Sequence, residues 1–254
     1  MNAVRSQLFN IFFYGGTALT CLILLPTLAF PRGVMMGIIG FYLHYVAFIE
    51  KWLLGLDYVV IGRENLPQGP CILAAKHQSA WETMKLHLLI DDPAVVIKKE
   101  LLSLPIWGWC ARKAKLIPVD RKGGRAAVIS MLRSAREAVA TGRPIAIFPQ
   151  GTRVAPGVWK EYKAGASALY RGLNLPLVPV ALNSGLYWGR NAYTKRRGTI
   201  TIEILPPIQP GFDEAVVNDM LAAQIEYATD RLVQEAGGPA TAIPERLKAF
   251  ASAG

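Results

Sequence analysis

Strand-like and helix-like stretches alternate along residues 55–236, which predicts an α/β protein: a mixed, largely parallel sheet flanked by helices, with an apolar helical segment ahead of it. Three observations carry this reading. Short apolar runs recur between segments of helical length, turn chemistry separates them, and the longest uncharged apolar stretches lie before residue 55. A length of 254 residues suits one large α/β unit with a short appendage better than two equal domains.

The N-terminal segment comes first. Residues 8–30 form a nearly uncharged apolar run, broken by Gly15-Gly16 and Pro26, with Arg5 before it and Pro31-Arg32 after it. A second apolar stretch covers residues 33–49 and contains His44. Each is long enough to cross or deeply enter a bilayer. No A-x-A cleavage pattern follows the first run and a second run succeeds it at once, so residues 1–54 are expected to be a retained membrane anchor rather than a signal peptide. Length alone leaves a spanning pair and a re-entrant hairpin both open; in the hairpin, Arg5 and Arg32 lie together on the cytoplasmic side.

After Leu54 the character changes. Residues 57–61 read as a strand, and Glu64-Asn65-Leu66-Pro67 with Gly69-Pro70 as turns. Further strands are expected at 72–76, 94–98, 115–119, 144–148, 177–182 and 199–205, with helices at 81–90, 125–140, 164–173 and 213–235. The tail, residues 237–254, is rich in Gly, Pro and Ala and is expected to be loosely ordered.

Lys and Arg number 28 against 18 Asp and Glu, a net charge of +10 that favours anionic partners: nucleic acid, an acidic carrier or anionic lipid. No nucleic-acid motif and no basic–aromatic stacking platform is present, so nucleic acid is not expected. Cys21, Cys71 and Cys110 have no CxxC spacing and stand apart from the three histidines. Free thiols in a reducing compartment, no metal and no cofactor are the expectation.

Polar clusters fall at or just past the ends of predicted strands, where α/β sheets carry their sites. The first is Lys76-His77-Gln78-Ser79-Ala80-Trp81-Glu82. A histidine with a carboxylate five residues on can act as a general base and its orienter, the carboxylate fixing the tautomer and stabilising the imidazolium. Those positions are about 140° apart on an ideal helix, so His77 must lie in the turn before the helix and Glu82 in its first turn. His87 and Asp92 repeat a His-x4-Asp spacing, but His87 is mid-helix among Leu86, Leu88, Leu89 and Ile90, which favours a packing role. Further clusters are Lys98-Lys99-Glu100-Leu101, Leu116-Ile117-Pro118-Val119-Asp120-Arg121, Phe148-Pro149-Gln150-Gly151-Thr152-Arg153, and Val178-Pro179-Val180. Arg and Lys in such places match phosphate oxygens, although most of the 28 basic residues are ordinary surface charge; the run Arg190, Lys195, Arg196, Arg197 reads either as a solvated loop or, beside a membrane anchor, as a patch that attracts anionic lipid.

In this order and spacing the clusters resemble the glycerolipid acyltransferases of the 1-acyl-glycerol-3-phosphate acyltransferase type, whose blocks are NHxxxxD, KKEL leading to PVDR or FIDR, FPEGTR and a VPV strand. The likeness covers roughly residues 57–205, and the apolar N-terminus also looks like that family's anchoring helices. It implies the glycerolipid acyltransferase fold and a membrane-associated enzyme that acylates the free hydroxyl of 1-acyl-glycerol-3-phosphate to phosphatidic acid. The donor would be an acyl-CoA or acyl-acyl-carrier protein thioester, and the site would face the cytoplasmic side of the cell's inner membrane. It makes His77 the general base and Glu82 its orienting carboxylate. Arg121, Arg153 and Lys99 would hold the acceptor phosphate, and Gln150, Gly151 and Thr152 would shape the substrate-binding turn. Direct transfer without a covalent enzyme intermediate is implied, in keeping with the absence of a G-x-S-x-G elbow. Glu82 stands where the family has Asp, one methylene shorter, and Gln150 stands where FPEGTR has Glu. The uncharged Gln150 points to a different lyso-lipid acceptor, such as a lyso-aminolipid, as the rival within this chemistry; a non-catalytic lipid-binding paralogue is the rival outside it.

Overall fold

Seven strands form one sheet in the structure, a computed structural model that describes residues 2–250. They are β1 (Leu56–Ile61), β2 (Ile72–Ala75), β3 (Ala94–Lys98), β4 (Ile117–Val119), β5 (Ile145–Ile147), β6 (Leu177–Leu182) and β7 (Gly198–Ile204). Across the sheet they run β1-β7-β6-β2-β5-β3-β4. Every neighbouring pair is parallel except β6 and β7, where Val180 meets Ile204 in antiparallel register. The central strands β2, β5 and β6 are buried along their whole length, which is why their sequences are continuous apolar runs rather than alternating ones. At the two edges the demand relaxes: β1 exposes Val59 and Ile61, and β4 tolerates Pro118.

The helices cover both faces as their periodicity dictates. Helix α5 (Gly124–Val139) buries Ala127, Met131, Ala135 and Ala138, spaced at three and four residues, and leaves Arg133, Arg136 and Glu137 exposed. It packs beside α6 (Gly165–Leu173), which in turn packs beside α7 (Glu214–Glu235), whose Val217, Leu221 and Ile225 enter the same core as Ile72 and Ile145. On the other face α3 (Trp81–Leu89) contributes Trp81 and Leu86 to a second core with Leu73 and Val180.

Helices α1 (Asn2–Thr27) and α2 (Arg32–Ile49) precede the sheet. The stretches Ala3–Thr27 and Arg32–Leu54 are long and apolar enough to cross a membrane, with mean hydropathies of 1.9 and 1.5, and little of either is buried in the protein. Polar contacts nevertheless fasten the pair to the α/β body. Arg32 makes a two-pronged bond to Asp92 at 2.8 and 2.5 Å and also donates to the Ala114 carbonyl. Lys113 caps the end of α1 by donating to the carbonyls of Thr27, Leu28 and Phe30. Lys195, expected at the surface, is instead 3% exposed: its Nζ donates to Asn10, its backbone N–H donates to Ser6, and it lies over the rings of Phe9 and Trp188.

Two other expectations are corrected. Residues 107–113 form a helix, α4 (Trp107–Lys113), that short-range pattern does not announce; Ile106 and Lys115 flank it at positive φ, and β4 therefore starts only at Ile117. The stretch following residue 236 is not loose as far as it is described. Gly238 bonds back to Val233, Thr241 bonds to Asp230, Arg246 pairs with Asp219 and Glu161, and Leu247 is fully buried beneath α7. One leucine at the right place outweighs a loop-like composition; the expectation for residues 251–254 lies outside the described residues. All three cysteines are free, and burial pushes the Cys71 thiol up to about 11.

Candidate active site

The carboxyl ends of β2, β3, β4, β5 and β6 open on one edge of the sheet, and each is followed by polar residues: Lys76-His77, Lys98, Asp120-Arg121, Phe148 to Arg153, and Asn183-Ser184. His77 sits in the turn between β2 and α3, and Glu82 in the first turn of α3, the placement the five-residue spacing requires. The Glu82 carboxylate is 1% exposed. Its Oε1 accepts the His77 Nδ1–H at 2.8 Å together with the backbone N–H groups of Gln78 and Ser79 at 2.8 and 2.6 Å; Oε2 accepts the Ser184 hydroxyl at 2.8 Å. A carboxylate only accepts, so Nδ1 carries the ring proton and Nε2 is the free base. The extra methylene of Glu82 is absorbed by these backbone donors and by Ser184, without loss of the contact to the ring. Phe148 stacks on the imidazole with centroids 4.1 Å apart, which fixes its plane.

The turn after β5 closes with a Gly151 N–H to Phe148 carbonyl bond of 2.9 Å and needs Gly151 at φ +66°. It is tied to the His77 turn by the Val154 N–H, which donates to the His77 carbonyl at 2.7 Å. Together the two turns border a hollow of about 540 Å³. Its charged lining is Lys98, Arg121, Arg153, Lys163 and Arg190 against the single carboxylate of Asp120, and Val95, Ile97, Met131 and Ile147 form an apolar part. A phosphate-sized anion and an alkyl chain can therefore share one cavity beside the imidazole.

Of the residues expected from sequence, His77, Arg121, Gly151, Thr152 and Arg153 line this hollow, and Glu82 stands directly behind His77. Two do not line it. Lys99 begins the 3-10 turn after β3 and points out, with its Nζ 3.8 Å from Asp120; its neighbour Lys98 is the one on the wall. Gln150 is fully buried behind the turn, where its Nε2 donates to Glu226 at 3.3 Å. Sequence reasoning missed Lys163, Arg190 and Ser184. The only signal for Ser184 is its place just past β6, and Arg190 belongs to a basic run with nothing local to single it out. His87 packs in α3, where burial holds its pKa below the ordinary value, and Asp92 is taken by Arg32 and Arg143.

A base–carboxylate dyad beside a cationic and apolar cavity, at the carboxyl edge of this sheet, fits acyl transfer to a hydroxyl, and residues 57–183 match the family model described as Acyltransferase. A 1-acyl-sn-glycerol-3-phosphate acyltransferase of Pseudomonas aeruginosa is 32% identical over 81% of this chain and 81% of its own length. The protein of the same name from Saccharomyces cerevisiae is 28% identical over 73% of this chain and 61% of its own, longer sequence. The crystal structure of the 1-acyl-sn-glycerophosphate acyltransferase PlsC from Thermotoga maritima superposes with a TM-score of 0.73, at 22% identity, over 91% of this chain and 98% of that one, so the fold is shared. The chain belongs to the glycerolipid acyltransferase family of the 1-acyl-sn-glycerol-3-phosphate acyltransferase type.

Proposed function

We propose that the protein transfers a fatty acyl group from a thioester, acyl-CoA or an acylated carrier protein, to the free hydroxyl of a 1-acyl-glycerol-3-phosphate, giving phosphatidic acid for phospholipid synthesis. The observation that carries this reading is the 2.8 Å His77–Glu82 contact on the wall of a hollow that also presents Arg121 and Arg153. The acceptor phosphate binds between the guanidinium groups, which offer forked donors to its oxygens. His77 Nε2 takes the hydroxyl proton as the oxygen attacks the thioester carbonyl, and Glu82 stabilises the imidazolium that results. The tetrahedral intermediate then collapses, the C–S bond breaks, and the imidazolium returns its proton to the departing thiolate. Substrate chains lie along the apolar wall. Helices α1 and α2 seat in the membrane, with the hollow on the cytoplasmic side of the inner membrane, and the surplus of positive charge draws the anionic acceptor and donor. Gln150, sealed behind the turn, is not in a position to read the acceptor headgroup, which favours lysophosphatidate over a lyso-aminolipid.

The test is an acyl-transfer assay on purified protein with lysophosphatidate and a panel of other lyso-lipids, each with palmitoyl-CoA and with palmitoyl-acyl-carrier protein. Lysophosphatidate should be acylated fastest, His77→Ala should lose about a thousandfold or more in rate, and His87→Ala should stay within a few-fold of wild type. A preference for another lyso-lipid, or an active His77→Ala, refutes the reading.

A further inference from the structure

Two departures from the family pattern meet at one side chain. The residue before His77, Asn in the family block, is Lys76, and the turn after β5 carries Gln150 in place of Glu. Lys76 is 2% exposed, and its Nζ donates to both carboxylate oxygens of Glu226 on α7, at 2.6 and 2.7 Å. Glu226 is also sealed from solvent; its Oε1 further accepts the Tyr162 hydroxyl at 2.8 Å and the Gln150 amide at 3.3 Å. With its amide nitrogen turned to Glu226, Gln150 presents its oxygen to the backbone N–H of His77, 3.5 Å away. None of the four residues lines the hollow.

The chemistry of the set constrains it. Every group bonded to Glu226 is a donor: an ammonium, a phenol and an amide. A glutamate at position 150 has no proton to offer and would set two carboxylates against one lysine in a sealed space, where like charges disfavour double ionisation. An amide at 150 is therefore the partner that Glu226 requires, and Lys76 balances its charge. We propose that Glu226 is a positioning residue for the transfer reaction: from α7 it supplies the carboxylate that FPEGTR sequences carry on the turn itself, and through Lys76 and Gln150 it holds the His77 turn and the FPQGTR turn in register. The proposal rests on the acyl-transfer reading above. Its effect reaches the reaction only through the backbone of residues 76–77 and 148–153.

The test exchanges the carboxylate and the amide across their contact. Full-length wild type, Gln150→Glu, and Gln150→Glu combined with Glu226→Gln are assayed with lysophosphatidate and palmitoyl-CoA or palmitoyl-acyl-carrier protein, as functions of pH, with melting temperatures alongside. Gln150→Glu alone should lower kcat about 30-fold at neutral pH, the size of a strong coupling between touching groups. Part of that loss should be recovered toward acid pH, where the new carboxylate pair retains a proton opposite Lys76, Tyr162 and the nearby Asp230. The double variant should regain kcat to within a few-fold of wild type and should lose the extra pH dependence, because it restores one carboxylate and one amide across the 150–226 contact. A single variant that folds poorly while the double variant folds and turns over supports the proposal equally. It is overturned if Gln150→Glu matches wild type at all pH values, if the double variant is no better than the single, or if neither folds. A wild type that is inactive on lysophosphatidate removes the functional reading, and this proposal falls with it.

Discussion

Replacing Glu82 by glutamine tests how the carboxylate acts. The change preserves size and leaves one oxygen to accept from His77 Nδ1 and the backbone of residues 78 and 79, while the new amide faces the Ser184 hydroxyl, which can accept. The tautomer and the fold are thus retained, and what disappears is the negative charge opposite the developing imidazolium. For unit charges roughly 4 Å apart, in an effective dielectric of about 20, that attraction is worth about 4 kcal/mol, or about a thousandfold in rate. The assay is kcat and KM for lysophosphatidate acylation, with a melting curve to confirm the fold. A fall in kcat of about two to three orders of magnitude, at nearly constant KM, is expected. A loss smaller than about tenfold in a well-folded Glu82→Gln protein refutes the idea that Glu82 stabilises the charged ring.

Three further outcomes are expected. Ser184→Ala leaves one oxygen of a buried carboxylate without its donor, which should cost about 1–3 kcal/mol in unfolding free energy and lower kcat by less than Glu82→Gln does, measured by denaturant melts and turnover. Arg153→Ala should raise the KM for lysophosphatidate by about tenfold or more, whereas Lys99→Ala, whose side chain points to solvent, should stay within about twofold. For His87 the folded pKa is depressed by burial, so the unfolded chain binds the proton first as pH falls below about 6.5. His87→Gln should therefore blunt the loss of stability on acidification through that range, read from melting temperatures at a series of pH values.

The parts of this molecule that sequence discloses are those whose cause is local. The continuous apolar runs of β2 and β6 read as interior strands because burial on both sides leaves no position for a polar residue, and the spacing of His77 and Glu82 dictates that one lies in a turn and the other on a helix. Whatever depends on distant chain is silent. Lys98 and Lys99 are adjacent and chemically alike, and the end of β3 alone decides which of them meets the cavity. Gln150 reads as a headgroup contact until its partner, 76 residues away on α7, is seen. Lys195 belongs to a run of surface-like charge, yet it is sequestered because Ser6 and Asn10 arrive from the opposite end of the chain. The packing of Leu247 likewise follows from the shape of α7 and not from the composition around it.

The segment from Ser184 to Arg197 grips α1 at one end, through Lys195 and Trp188, and reaches His77 at the other, through Ser184 and Glu82. With Arg32 and Lys113 bound as well, the apolar hairpin is bolted to the catalytic body and not trailed from it by a tether. If the helix pair seats in a membrane as proposed, the height and tilt of the hollow above the lipid are set together. In the proposed seating, a lysolipid acceptor would reach the hollow by lateral diffusion in two dimensions, with no need to be lifted into water first.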